Sequence, residues 1–162
     1  MTDVETSARS YRAVRIVLIV IVVAGLAIDA YVHFDLAKAY SPVKTSTLSQ
    51  GDLFRAEATV SILAALLLIF HPRRWTAAVA AVVAGAGLAA VLVYAYIDVP
   101  RIGPIPAMYD AVWYTEKTIS AIGEGAAFVA ALILVFIPWG RSARTTVGAH
   151  ARAADPVDPA AS

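Results

Sequence analysis

Four long apolar runs, separated by short polar segments, place the strongest constraint on how this chain folds. Each run approaches the roughly 20 apolar residues that a helix needs to cross about 30 Å of hydrocarbon. Lipid offers the backbone no hydrogen-bond partner, so a crossing segment satisfies its own amide groups by forming a helix. The sequence therefore predicts an all-α fold, a membrane-embedded four-helix bundle, with helices at about residues 13–33, 53–70, 75–99 and 110–139.

The composition agrees with this class of protein and excludes others. Of the 162 residues, 60% are hydrophobic and 15% are charged, whereas a soluble domain has about 25% charged residues. The chain has no cysteine, which excludes disulfides, thiolate metal sites, iron–sulfur clusters and cysteine nucleophiles. The sequence contains no basic run that would suggest a nucleic-acid partner, and its apolar runs make the lipid bilayer the predicted partner.

Basic residues collect on one side of the predicted bundle. An excess of Lys and Arg marks cytoplasmic segments, which predicts an up-down-up-down, multi-pass protein of the cell membrane with both termini in the cytoplasm. Residues 1–12 then form a cytoplasmic N-terminal tail, residues 140–162 a disordered cytoplasmic C-terminal tail, and residues 34–52 and 100–109 outward-facing loops. Eight of the thirteen basic residues lie on the predicted cytoplasmic side: Arg9, Arg12, Arg15, Arg73, Arg74, Arg141, Arg144 and Arg152.

The first apolar run also has the features of a cleaved signal peptide. Basic residues 9–15 precede an apolar stretch, and the small residues "GLA" at 25–27 resemble a cleavage site. Cleavage there would leave three helices in the same orientation, so the sequence leaves both alternatives open.

Three carboxylates interrupt the apolar runs at one depth. Asp29, Glu57 and Glu124 lie 14, 13 and 15 residues from the cytoplasmic ends of their runs. At a rise of about 1.5 Å per residue, each lies roughly 20–22 Å from that boundary. His33 follows Asp29 by four residues and shares its helix face. Carboxylates and an imidazole suit a divalent metal such as zinc or manganese, or a proton relay, so these four residues are candidate metal ligands.

Further polar residues are predicted near the depth of these three carboxylates. Glu116 and Ser120 precede Glu124 by eight and four residues and share its helix face. Arg55 and Lys117 lie on other faces, so they can pair with the carboxylates only across a helix interface. The predicted polar cluster therefore adds Arg55, Glu116, Lys117, Ser120 and Tyr40 to the four candidate ligands.

The polar cluster supports three interpretations. An ionisable group near the centre of a spanning helix costs about 2.5–3.5 kcal/mol, so several together face one another or a wet cavity. The favoured interpretation is a non-enzymatic membrane protein whose outward-facing cluster either stabilises the bundle, with Arg55 and Lys117 neutralising carboxylates, or binds a small cation or ligand. The second is an accessory or assembly subunit of a larger membrane complex. The third is a membrane enzyme that uses Glu57, Glu124 and His33, although the chain has no HExxH signature.

The third helix carries small residues in place of charges. The pairs Ala81/Gly85 and Gly85/Ala89 have the small-xxx-small spacing that lets membrane helices approach closely. This pattern predicts tight packing within the bundle, or contact with a membrane-protein partner or a second copy of the chain.

Two local predictions concern the second helix. Asp52 has the position and chemistry of an N-cap residue. Ser61 lies inside the helix, where a hydroxyl usually bonds back to a carbonyl of its own helix.

Short motifs in the chain resemble a group of uncharacterised small four-helix integral membrane proteins frequent in actinobacteria. The motifs are His33-x-x-Leu36-x-x-x-Tyr40 at the end of the first helix, "QGDLF" at residues 50–54, and Glu124 in the fourth helix. Over residues 13–139, positions 33, 40, 51, 54 and 124 match that pattern, whereas those of Asp29 and Glu57 have no counterpart in it. The resemblance implies the four-helix fold and no particular activity.

Overall fold

The computed structural model describes residues 2–139 and the side chains from residue 10 onward. Four helices follow one another within this range: α1 (Thr2–Tyr40), α2 (Gln50–Phe70), α3 (Arg74–Tyr96) and α4 (Thr115–Phe136). Isolated bridges are the only β pairing among the described residues. All four helices are long and apolar enough to cross a membrane. The tail predicted for residues 140–162 lies outside the described residues.

The first helix is longer at both ends than the predicted range of 13–33. It begins at Thr2 because residues 2–24 contain neither glycine nor proline, so nothing in that stretch stops a helix. It ends at Tyr40 because Ser41 precedes Pro42, and a residue before proline is disfavoured in helical conformation.

The other helix ends are set by capping and by loop contacts. Asp52 is not the N-cap of α2, because Ser49 occupies that position and its Oγ accepts a hydrogen bond of 3.0 Å from the Asp52 amide. The Asp52 carboxylate accepts in return from the Ser49 amide, which completes a capping box. The fourth helix begins at Thr115 and not at Asp110, because the Asp110 amide donates to the Tyr94 carbonyl at 2.8 Å.

Small residues fill the interior of the bundle, and large apolar residues cover its outside. Alanines such as Ala80 and Ala127 are fully buried, whereas Val82, Ile122 and Phe136 are exposed. This distribution suits lipid, because acyl chains solvate large side chains on the surface while small ones let the helix backbones approach.

The bundle has two different ends. At the first, called the terminal end, residues 71–73 link α2 to α3. The fourth helix also ends there. The hydrophobic core fills this half around Leu26, Leu68 and Leu134. At the second, the loop end, residues 41–49 and 97–114 cover the helices, and Thr45 joins the two loops by donating to the Pro104 carbonyl at 2.9 Å.

The helices form a ring in which α1 packs extensively on α2 and α4, and α3 packs on α4. Of the neighbouring pairs, α2 and α3 make the least contact. The backbones of α1 and α4 approach closely at Gly25. A Cβ added at Gly25 would overlap the Gly123 carbonyl oxygen and lie 2.9 Å from Ala127 Cβ. The α1–α4 contact therefore depends on glycine at position 25.

Gly25→Ala should destabilise the bundle by about 1–3 kcal/mol, because the added methyl group forces two helix backbones apart. Unfolding of the purified chain in a mild detergent measures this. Gly125→Ala is the matched control, since a Cβ there would meet only Leu88 Cδ2 at 3.9 Å. Equal stability of the two variants would contradict this account of the α1–α4 contact.

Candidate cation site

Three helices bring Asp29, Glu57 and Glu124 together in the interior of the bundle. One carboxylate oxygen from each residue lies within 4.8 Å of the other two. These three residues are called the carboxylate triad below. The triad lies between the hydrophobic core of the terminal end and a cavity that extends towards the loop end.

Asp29 is the member of the triad that has hydrogen-bond donors. It is 1% exposed, and its two oxygens accept from Ser61 Oγ and Ser120 Oγ at 2.8 Å each and contact His33 Nδ1 at 2.8 Å. The prediction that Ser61 bonds back to its own helix is therefore wrong. The sequence did contain a signal for this role, because Ser61 follows Glu57 by four residues and so shares its face of α2.

His33 contacts the triad through one ring nitrogen. Its Nδ1 lies 2.8 Å from the Asp29 carboxylate and 3.1 Å from the Asp29 carbonyl, and its ring packs edge-on against Phe54. When Nδ1–H donates to a carboxylate, the neutral imidazole carries its lone pair on Nε2. Nε2 is then the His33 atom that can bind a ligand, in the manner of a metal-ligating histidine oriented by a carboxylate.

Glu124 and Glu57, unlike Asp29, have no hydrogen-bond donor among the described residues. Glu124 is 1% exposed, and neither of its oxygens has a hydrogen-bond partner among residues 10–139. Glu57 is half-buried and borders the cavity, and it too has no hydrogen-bond partner in the described part of the chain. A buried ionised group without a partner is costly, so this arrangement requires a proton or a cation.

The third helix has a glycine, Gly87, where it passes the triad. A Cβ added at Gly87 would overlap Glu124 Oε1 and lie 3.0 Å from Glu57 Oε1. Gly87 thus leaves room for both carboxylates, which the small-residue pattern of the sequence did not specify. Gly85 packs inside the bundle against the Phe128 ring, and an oligomer contact through α3 stays a prediction.

The two predicted counter-ions lie away from the triad. Arg55 pairs with Asp52 at 3.0 Å on the exposed start of α2. Lys117 donates to the Asp110 carbonyl and lies 3.6 Å from the Asp110 carboxylate, with its ammonium 5.4 Å from the centre of the Trp113 ring. Neither cation neutralises a triad carboxylate in this structure.

The remaining predicted members of the cluster separate into different places. Ser120 contacts the triad by donating a hydrogen bond to Asp29, whereas Glu116 is exposed and borders a shallow groove on the surface. Tyr40 lies closer to the loop end, where its hydroxyl bonds to Asp110 at 3.1 Å and to the Tyr114 hydroxyl at 2.9 Å.

A cavity of about 390 Å³ lies on the loop side of the triad. Residues from all four helices and from the 97–114 segment line it, and Glu57 is the triad member that borders it. Burial and the hydrogen bond that the Tyr114 hydroxyl donates to Tyr40 raise the pKa of Tyr114 above its ordinary value, so the Tyr114 side chain stays uncharged near neutral pH. The cavity therefore connects the triad with the loop end of the protein.

Comparison of the chain with protein-family models, with curated proteins and with solved structures finds no match. The resemblance drawn from the short motifs stays a prediction.

Ser61→Ala should destabilise the protein by about 1–3 kcal/mol, because Asp29 then loses a donor in a buried position. Thr59→Val is the control on the same helix, since the exposed Thr59 hydroxyl bonds only to the Arg55 carbonyl at 2.7 Å. Unfolding of both variants in detergent measures the difference. A Ser61→Ala variant as stable as Thr59→Val would show that the Ser61–Asp29 hydrogen bond does not contribute to the stability of the protein.

Proposed function

We propose that this chain is a small multi-pass membrane protein that binds a divalent cation at the carboxylate triad. The observation that carries the proposal is Glu124, whose two buried oxygens have no partner among the described residues. A cation at the triad would satisfy both this residue and Glu57, which lacks a partner as well.

The chemistry of the donors favours a hard cation. The triad offers three carboxylate oxygens, which suit Mn²⁺, Mg²⁺ and Ca²⁺ better than they suit softer metals. His33 supports the site by holding Asp29 through Nδ1. Zn²⁺, which prefers imidazole and thiolate ligands, is the informative comparison.

Charge balance also favours a divalent ion over a monovalent one. Three ionised carboxylates carry three negative charges, and the one imidazole in contact with them, His33, carries at most one positive charge. At least two negative charges then remain to be balanced in an environment of low dielectric constant, where an uncompensated charge is most costly.

The proposed ion enters from the loop end. The cavity leads from Glu57 towards this end, and the hydrophobic core fills the other half of the bundle. With the basic residues of the chain on the cytoplasmic side, as their distribution favours, the triad binds its cation from outside the cell membrane. We therefore propose binding from one side and not passage through the bundle.

Thermal unfolding of the purified chain in an uncharged detergent tests the proposal, with a chelator or with each of Mn²⁺, Mg²⁺, Ca²⁺ and Zn²⁺. At a cation concentration of roughly 100 times Kd, binding to the folded state should stabilise it by about 2.7 kcal/mol. Glu124→Gln should abolish the rise in Tm, since an amide replaces a charged ligand. Gly87→Ala should also reduce it, because the new methyl group displaces Glu124 Oε1.

Glu116→Gln is the matched control, being the same substitution on an exposed site of the same helix, and it should keep the full rise in Tm. A Tm that no cation raises, or a rise that Glu124→Gln retains, would contradict the proposal. In the first case Glu124 is a neutral, protonated carboxyl group whose role is structural.

A further inference from the structure

The cavity on the loop side of the triad has one charged group that lacks a partner. Asp110 and Lys117, which also line it, lie 3.6 Å apart, and Tyr40 donates to Asp110. Glu57 has neither a hydrogen bond nor an ion pair within the part of the chain that the structure describes. The cavity therefore has a negative group available to a ligand at its base.

Aromatic rings form much of the wall around this base. Phe54 packs on His33 and on Tyr40, with ring centres 5.1 and 5.0 Å apart. Tyr94 and Tyr109 line the cavity from α3 and from the 97–114 segment. The face of an aromatic ring attracts a cation, and more strongly where water is excluded. A carboxylate at the base and aromatic rings around it match a positively charged organic group.

The size and the remaining walls of the cavity match an apolar body. Its volume of about 390 Å³ falls within the range of about 300–1,000 Å³ that is typical of small-molecule pockets. Leu53 and Val60 of α2 line it opposite Ala90 and Val91 of α3. Of the neighbouring helix pairs in the ring, these two make the least contact, so the apolar part of a ligand has room between them.

We propose that this cavity binds an amphiphilic organic ammonium ion, with its nitrogen at Glu57 and its apolar body among the aromatic rings and the α2–α3 wall. This site shares Glu57 with the proposed divalent-cation site but does not require a metal. The two ligands draw on the same negative charge, so each should weaken binding of the other.

Benzyltrimethylammonium and its uncharged carbon isostere, neopentylbenzene, are the probes. Binding is measured by equilibrium dialysis of the full chain in an uncharged detergent with a chelator, after subtraction of uptake by empty micelles. The ammonium ion should bind the wild type, and Glu57→Gln should weaken it by about tenfold or more, because the ion pair at the base is lost. The isostere should bind weakly and should not distinguish Glu57→Gln from the wild type.

Ala90→Phe tests the cavity itself, because residue 90 lines the cavity and is not a member of the triad. It should abolish ammonium binding, and a cooperative thermal transition in chelator shows that the variant folds. Glu116→Gln, whose side chain lies outside the cavity, should bind the ammonium ion as the wild type does.

Three results would overturn the inference: no ammonium binding to the wild type, equal binding to Glu57→Gln, or equal binding of the isostere. Ammonium binding without any effect of divalent cations on Tm would support the inference and reject the proposed function. A rise in Tm with divalent cation but no ammonium binding would do the reverse. Where both ligands bind, saturating divalent cation should weaken ammonium binding, and independence of the two would refute a shared Glu57.

Discussion

Glu124 lies inside the bundle with both carboxyl oxygens shielded from solvent and without a hydrogen-bond partner among residues 10–139. Such a group is strongly unfavourable when ionised and alone, so its surroundings have to supply a proton or a positive charge. The neighbouring carboxyl groups of Asp29 and Glu57 increase this need, because one oxygen of each lies within 4.8 Å of Glu124 and would repel a charge there. The nearby cations do not meet it, since Lys117 is bound at Asp110 and Arg55 at Asp52. The triad therefore requires either a proton or a cation in the folded bundle.

The packing of the four helices positions the three carboxyl groups of the triad. Gly25 lets α1 approach α4, and Gly87 leaves the volume that the carboxylates of Glu57 and Glu124 occupy. The core around Leu26 and Leu134 closes the terminal half. The cavity opens the other half towards the loop end, so the polar interior is accessible from one direction. An apolar half and a half with a polar cavity follow from where the small, large and charged residues fall along the four helices.

The sequence predicted the parts of this arrangement that depend on length and depth. Four apolar runs are enough to predict four helices, and counting residues from the helix ends places Asp29, Glu57 and Glu124 at one level. What the sequence left open depends on how the helices are rotated about their axes. Depth alone did not indicate that Ser61 donates across to Asp29, or that Lys117 turns away to Asp110. Those pairings are decided by contacts between helices, which a one-dimensional pattern does not contain.

The infrared difference spectrum between the wild type and Glu124→Gln, recorded in chelator and then in saturating divalent cation, tests the central claim most directly. The account predicts a band from a protonated carboxyl group in the cation-free wild type, because burial without a partner favours the neutral acid. Added cation should replace that band with carboxylate bands, and Glu124→Gln should lack the change. A protonated-carboxyl band that persists at saturating concentrations of every cation would contradict a cation site at Glu124.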